Sequence, residues 1–487
     1  MIKRKNFVLF HILLASLGLA GCSNVTLPET PAAPAPIVVE GGKVLEEQYK
    51  PDADTAVQDA GKSPENPNTG EADAENSPED RSSQRIPVKV KGIYVSAYVA
   101  GTQELIDNLI REIDRTEANA LVIDLKDDYG RVVCEMNSLL VQEIGSVKTY
   151  IPDMEGLMRK LDEHDIYTIA RIPLFRDAWL GEVRPDWCVK RADGSVFEDR
   201  DGNTWVNPYK QEAWDYLIEI AIQAGELGFD EVQFDYVRFC TERGMNEVIF
   251  EEADVQGRSK TDIICEFMEY AYDILRKKGL FVSADVFGAI INSGVDADSV
   301  GQIYGEMAKH LDYISPMIYP SHYADGNFGI DHPDLHPYET IYAAMMDSRK
   351  ELYFAGQEAE HIAQVRPWLQ DFTATWLKNH IEYGPEQIRE QIQATYSAGY
   401  DEWLLWDAAC RYTWNGLLNP EQADAEAKAI AQSRAAEPEL TWEKKPETAV
   451  GVEEAPETAV GVQEAPETIE GTESQGNTSS NVMKGAE

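Results

Sequence analysis

The sequence predicts a (β/α)8 TIM barrel with loop insertions, flanked by disordered N- and C-terminal segments. Three observations predict it. Between about residues 87 and 435, runs with strand character alternate with amphipathic helical runs, eight of the former in all. Several strand-like runs finish in an acid, as in LVIDLKD, VQFDY, VSADVFG and EWLLWD, and barrels of this kind gather their functional groups at the C-terminal ends of the strands. No glycine-rich phosphate loop follows an early strand, as an open doubly wound sheet would usually require.

The elements follow in order. VKGIYVSAYV (89–98) reads as the first strand, and the amphipathic run 103–117 as the first helix. ALVIDLKD (120–127) is the second strand. A helix near 154–164 leads to YTIARIPLF (167–175), the third. An insertion over 176–208 carries Trp179, Trp187 and Trp205 and the turn signals ADG and DG. Helix 210–227 leads to DEVQFDYVRF (230–239). Helix 261–278 leads to FVSADVFG (281–288), and a helix near 299–310 leads to DYISPMIYP (312–320). Helix 338–350 and a less regular stretch lead to WLQDFT (368–373). Helix 385–398 stops near Gly399, and EWLLWD (402–407) completes the series.

Strand parity sorts the side chains. Alternate residues face opposite sides of a strand, and in a barrel the side that meets the helices is apolar. Taking Leu121/Ile123, Val232/Phe234, Val282/Ala284 and Ile314/Ile318 as outward turns Asp124, Lys126, Gln233, Asp235, Ser283, Asp285, Ser315 and Tyr319 inward. Arg171, Asp371 and Asp407 join them from the third, seventh and eighth strands, whereas Trp406 takes outward parity and reads as packing. An unpaired charge is costly to bury. Acids that share both a face and an end of the sheet therefore point to a common site more than to independent loop caps.

The two ends are of another kind. Lys3, Arg4 and Lys5 precede a short apolar run, Phe7–Ala20, and then LAGC. The run is short for a membrane span, and the motif resembles a bacterial lipobox. Residues 1–21 thus read as a signal peptide and Cys22 as a lipid anchor to the membrane, which would hold the mature protein in the cell envelope outside the cytoplasmic membrane. Residues 22–86, rich in Pro, Ala and acids, read as a disordered tether, and 436–487, with its KPETAVGVEE-type decapeptides, as a disordered tail. The formal net charge of −43 argues against nucleic acid as a partner. Five further cysteines without CxxC spacing support neither a zinc site nor a disulfide framework. The HPDLH stretch (332–336) suits a turn-rich loop, and neither a metal nor a cofactor is expected.

KGIYVSAYVAG, NALVIDLKDDYG, WVNPY, GFDEVQFDYVRF, VSADVFG and DYISPMIYPSHY together resemble the putative glycoside-hydrolase domain family of bacterial envelope proteins, related to α-amylase-like barrels. The quoted stretches span about 91–330. The family pattern usually has Pro after VRF, where this chain has Cys240. The resemblance implies a carbohydrate hydrolase. By likeness to amylase-type barrels, Asp235 would be the nucleophile or general base and Asp285 the acid, with Asp124 and Asp407 as rivals for the second role.

Such chemistry needs two carboxyl groups flanking the glycosidic bond. Neighbouring strands lie about 4.8 Å apart, so acids at their ends can approach the roughly 5–5.5 Å of retaining enzymes, and the longer inverting separation stays open. Lys126, Arg171, Trp205, Asn207, Gln233, Arg238, Tyr319, His322 and Asp371 are the candidate substrate contacts, with Trp205 and Asn207 favoured through the WVNPY match. The expected partner is a carbohydrate polymer or oligosaccharide. A glycan-binding lipoprotein without turnover and an envelope scaffold are the competing readings.

Overall fold

The structure, a computed structural model, describes Arg81, residues 85–436 and residues 441–442. The expected leader, Cys22, most of the tether and the repeat tail lie outside the described residues. Among the described residues, no helix is long and apolar enough to cross a membrane.

Eight parallel strands close on one another: β1 (Lys91–Val95), β2 (Ala120–Asp124), β3 (Tyr167–Pro173), β4 (Glu231–Asp235), β5 (Phe281–Phe287), β6 (Tyr313–Met317), β7 (Trp368–Gln370) and β8 (Trp403–Trp406). Each strand pairs with the next in sequence. Closure comes from β8 lying beside β1, with Gly92 opposite Leu404, and β7 is joined to β6 through Trp368 and Met317. This is the predicted barrel. The first strand is shorter than expected, because Ser96 accepts the Val99 amide and starts a helical turn at Ala97–Gly101.

The helices form for local reasons. In α1 (Gln103–Ile113), Ile106, Leu109, Ile110 and Ile113 recur at helical spacing and are all buried. Asp153 caps α2 (Met154–Glu163) by accepting the Gly156 amide. The helix α3 (Gln211–Leu227) stops at Gly228 with φ +99°, a left-handed conformation that glycine adopts without strain. A reciprocal Ser259–Asp262 capping box opens α4 (Lys260–Leu275). Proline occupies the first turn of α5 (Pro337–Gly356), α6 (Pro385–Ala398) and α7 (Pro420–Ala435), where its missing N–H has no helical partner to lose.

Between barrel and helices lie the outward side chains, among them Ile93, Leu121, Ile123, Ile172, Val232, Phe234, Val282 and Ile314, all without exposed surface. The lower interior is polar and closed. The Arg366 guanidinium donates to both oxygens of Glu231 at 2.9 and 3.1 Å and to Glu402 at 3.0 Å, while Ser283 and Tyr167 complete the shell around Glu231. This ionic floor leaves the opposite end, where the strands terminate, as the mouth.

Candidate active site

The site is built around Arg171 on β3, 2% exposed. Its neighbours in the sheet are β2 and β4, and the register places Asp124 beside Arg171 and Asp235 beside Pro173. The guanidinium donates from Nη1 to Asp124 Oδ1 at 2.7 Å and from Nη2 to Asp128 Oδ1 at 2.9 Å. Nε and Nη2 reach Asp235 Oδ2 at 3.0 and 2.6 Å. One cation thus holds three carboxylates, and charge-assisted bonds of this kind are among the strongest a protein makes. Asp235 Oδ1 accepts the Tyr236 amide at 2.6 Å. Tyr236 reaches that position at φ +50°, a sparsely populated conformation for a bulky side chain.

The fourth acid, Asp285, stands on β5. Gln233 pairs with Ser283 and Phe234 with Ala284, so Asp235 and Asp285 occupy neighbouring inward positions one step further up. Asp285 Oδ1 accepts the Trp368 indole N–H at 2.6 Å. Burial pushes the Asp285 carboxyl well above the usual range and the nearby Asp235 charge adds to it, against the Trp368 hydrogen bond. Asp124 is lifted to about 7, chiefly by burial, although Arg171 and the Tyr94 hydroxyl (2.6 Å) oppose the rise. The Tyr319 hydroxyl is also held protonated, first by burial and then by Asp285 and Asp235.

Other predicted residues go elsewhere. Lys126 does not face the mouth. The Leu125 and Lys126 amides share the Arg171 carbonyl, which bends the chain beyond β2 and swings Lys126 onto Asp177 at 2.8 Å and the Pro173 carbonyl. Gly130, at φ +87°, leaves room for that pair, since a Cβ there would lie 2.0 Å from Asp177 Oδ1. Asp371 and Asp407 are not inward either. Asp371 accepts the amide and hydroxyl of Thr413, and Asp407 accepts the Ala409 and Arg411 amides in a turn. Trp406 is inward instead, stacked on Tyr94 with centroids 4.3 Å apart. The parity prediction failed on β8 because WLLW is apolar on both faces.

Gln233 lies beneath Asp235, donating to Ser315. Trp205 is buried and donates to Asp199, and Asn207 accepts the Tyr209 amide within its own turn. Arg238 lies 4.4 Å from the Phe287 ring centroid and 5.0 Å from that of Trp205, beside a cavity of about 40 Å³ that Arg176 also lines. A larger cavity, about 240 Å³, lies away from the carboxylates between Lys210 and Arg258. His322 is half-buried against Tyr319 and Phe372, and burial lowers it to about 4. His332 pairs with Asp325. Among the described residues, no group of three or more His, Cys, Asp or Glu could hold a metal ion, and Cys134, Cys188, Cys240, Cys265 and Cys410 are free thiols.

Sequence reasoning missed Tyr94, Asp128 and Trp368 as parts of the site. Two of them carried a usable signal. Tyr94 shares a face with Gly92, and Trp368 falls two residues after Arg366, so alternation alone placed both inward.

The family model described as "Putative glycosyl hydrolase domain" matches residues 92–412. The protein belongs to that family. The matched span holds every strand of this glycosyl hydrolase-like domain except Lys91, and the whole Arg171 cluster with it. None of the curated proteins matches the chain. Among solved structures, a hypothetical protein from Ruminiclostridium thermocellum ATCC 27405 is 36% identical over 40% of this chain and 97% of its own, with a TM-score of 0.37. The glycoside hydrolase domain of PgaB (BpsB) from Bordetella bronchiseptica is similar at 13% identity, 71% and 99% coverage and TM-score 0.47. An α-galactosidase from Thermus thermophilus, TtGalA, solved with p-nitrophenyl α-D-galactopyranoside, is similar at 12% identity, 71% and 63% coverage and TM-score 0.42.

Proposed function

We propose that this barrel is a glycosidase that cleaves a polysaccharide at the cell surface, with Asp285 as the acid and Asp235 as nucleophile or general base. The observation that carries the reading is the unequal treatment of two neighbouring carboxyl groups. Asp235 faces the fixed positive charge of Arg171, and Asp285 is buried against an indole with no cation of its own. Environments that divide a pair of acids in this way assign the proton. Asp285 Oδ1 accepts from Trp368, which leaves Oδ2 to carry the proton and deliver it to the leaving glycosidic oxygen. Asp235 then adds to the anomeric carbon, or removes a proton from the water that does. Tyr319, whose hydroxyl makes no hydrogen bond among the described residues, is free to meet a sugar hydroxyl beside both acids. Lipid attachment through Cys22 would present this mouth to envelope or surrounding glycans.

The test is release of reducing ends from a panel of polysaccharides. Asp235→Asn and Asp285→Asn are each expected to lower turnover by about 10²-fold or more, the usual span of general acid–base catalysis, with unchanged circular dichroism. Hydrolysis that survives Asp235→Asn at the wild-type rate would end the proposal. Glycan affinity without turnover would reassign the barrel as a binding module.

A further inference from the structure

Trp406 is a tryptophan in an unusual position. It terminates β8 at the barrel mouth, half-buried, with Tyr94 stacked on it at 4.3 Å and Trp368 edge-on at 5.5 Å. The Arg171 guanidinium lies 5.6 Å from the Trp406 ring and at the same distance from Tyr94. These three neighbours come from β1, β7 and β3, so the indole is held from several sides by rigid strands rather than by a loop. Its N–H makes no hydrogen bond among the described residues. The indole N–H groups of Trp179, Trp205, Trp214, Trp368 and Trp403 are each bonded to an oxygen, whereas that of Trp376 is buried and unbonded, so what sets Trp406 apart is its place at the mouth beside the carboxylates. A half-exposed aromatic ring with an unused donor, fixed beside the carboxylates, suits a ligand with an apolar face rimmed by hydroxyl groups. A pyranose ring is such a ligand.

The charges around the ring narrow the class. Arg171 spends its bonds on Asp124, Asp128 and Asp235, and Asp407 is the next residue along the chain. On this side of the mouth, acids outnumber cations, which repels a sugar carboxylate and tolerates a neutral or protonated amino sugar.

We propose that Trp406 is the stacking platform for a pyranose ring of an uncharged or amino-bearing glycan, bound beside Asp235. The inference rests on the glycosidase reading but is separable from it, because binding can be measured without turnover. The experiment titrates the full chain and its Asp235→Asn variant with cello-, malto- and chito-oligosaccharides and with oligogalacturonate, following tryptophan fluorescence and calorimetric affinity.

A neutral or amino-sugar probe is expected to quench the fluorescence. Trp406→Ala should weaken that affinity about tenfold. Trp406→Phe, which keeps a ring and guards against misfolding, should lose the quenching while retaining more of the affinity. Trp442→Phe, whose ring packs on Tyr353, should leave both unchanged. Binding with these signatures but no hydrolysis of any probe upholds the platform and defeats the glycosidase reading. Affinity and quenching that persist in both Trp406 variants, quenching by oligogalacturonate alone, or no quenching by any probe overturns the platform.

Discussion

Replacing Arg171 with methionine tests the electrostatic account of the mouth directly. The substitution keeps the length of the side chain and removes the one cation bonded to Asp124, Asp128 and Asp235. Arg171, Asp124 and Asp235 expose 2%, 5% and 12% of their side chains, so water compensates little for the loss. Removing one partner of a buried ion pair costs about 3–5 kcal/mol, a large part of the roughly 5–15 kcal/mol that holds a domain folded.

The penalty carries a pH signature. Without Arg171, the buried acids hold protons in the folded state at higher pH than the roughly 3.9 of an unfolded aspartate. The folded form then binds more protons than the unfolded one, and stability falls as pH rises. Asp124 already shows the tendency, since burial lifts it to about 7 with Arg171 present. Urea denaturation of wild type and Arg171→Met at about pH 5 and about pH 7.5 should therefore show a deficit that is larger at the higher pH. Adding Asp124→Asn should restore part of it. A deficit under about 1 kcal/mol at neutral pH, or one that does not change with pH, would refute the reasoning.

Three other measurements reach different parts of the molecule. At the floor, Glu231→Gln and Arg366→Met should each cost about 3–5 kcal/mol, whereas the double variant should cost clearly less than their sum; strict additivity would mean that the pair is not coupled. Tyr319→Phe should lower kcat/KM about tenfold on a cleaved glycan through one lost substrate hydrogen bond, with thermal stability nearly unchanged; an unaltered kcat/KM removes Tyr319 from the site. His322 should titrate near 4 by NMR because burial disfavours its charged form. Its folded value is thus below the ordinary 6.5 or so, and its contribution to stability is present above that value and lost as pH falls toward 4; a midpoint between about 6 and 7 would contradict the packing described.

How much of this the sequence revealed depended on whether polarity broke the pattern. On VQFDY and VSADV, polar residues (Gln233 and Asp235, Ser283 and Asp285) interrupt apolar ones at every second position, and alternation assigned the faces of β4 and β5 correctly. On WLLW no polar residue marks a face, so Trp406 and Asp407 were assigned to the wrong sides. Lys126 was misplaced for another reason. Alternation holds only while the strand continues, and the shared Arg171 carbonyl ends it at Asp124. Asp128 was out of reach because its partner lies 43 residues away and is brought to it by sheet register alone. The Glu231–Arg366 floor spans 135 residues, so no local window contains the reason for either charge.

Floor and mouth meet on one strand, and they differ in how far their charges are compensated. Glu231 and Asp235 lie on the same face of β4, each engaged by an arginine from elsewhere in the barrel. At the floor, Glu231 is enclosed by Arg366, Ser283 and Tyr167, with no exposed surface and no route to a substrate. At the mouth, Arg171 is shared among Asp124, Asp128 and Asp235, while Asp285 has a tryptophan in place of a cation. Four acids around one guanidinium carry a formal excess of negative charge that burial makes expensive, and the least compensated group relieves it by keeping a proton. That group is Asp285. On the proposed glycosidase reading, Asp285 would be the proton donor and Asp235 the carboxylate on the adjacent strand because the mouth has one arginine too few, and a second cation near Asp285 should abolish that division of roles even if both carboxyl groups stayed in place.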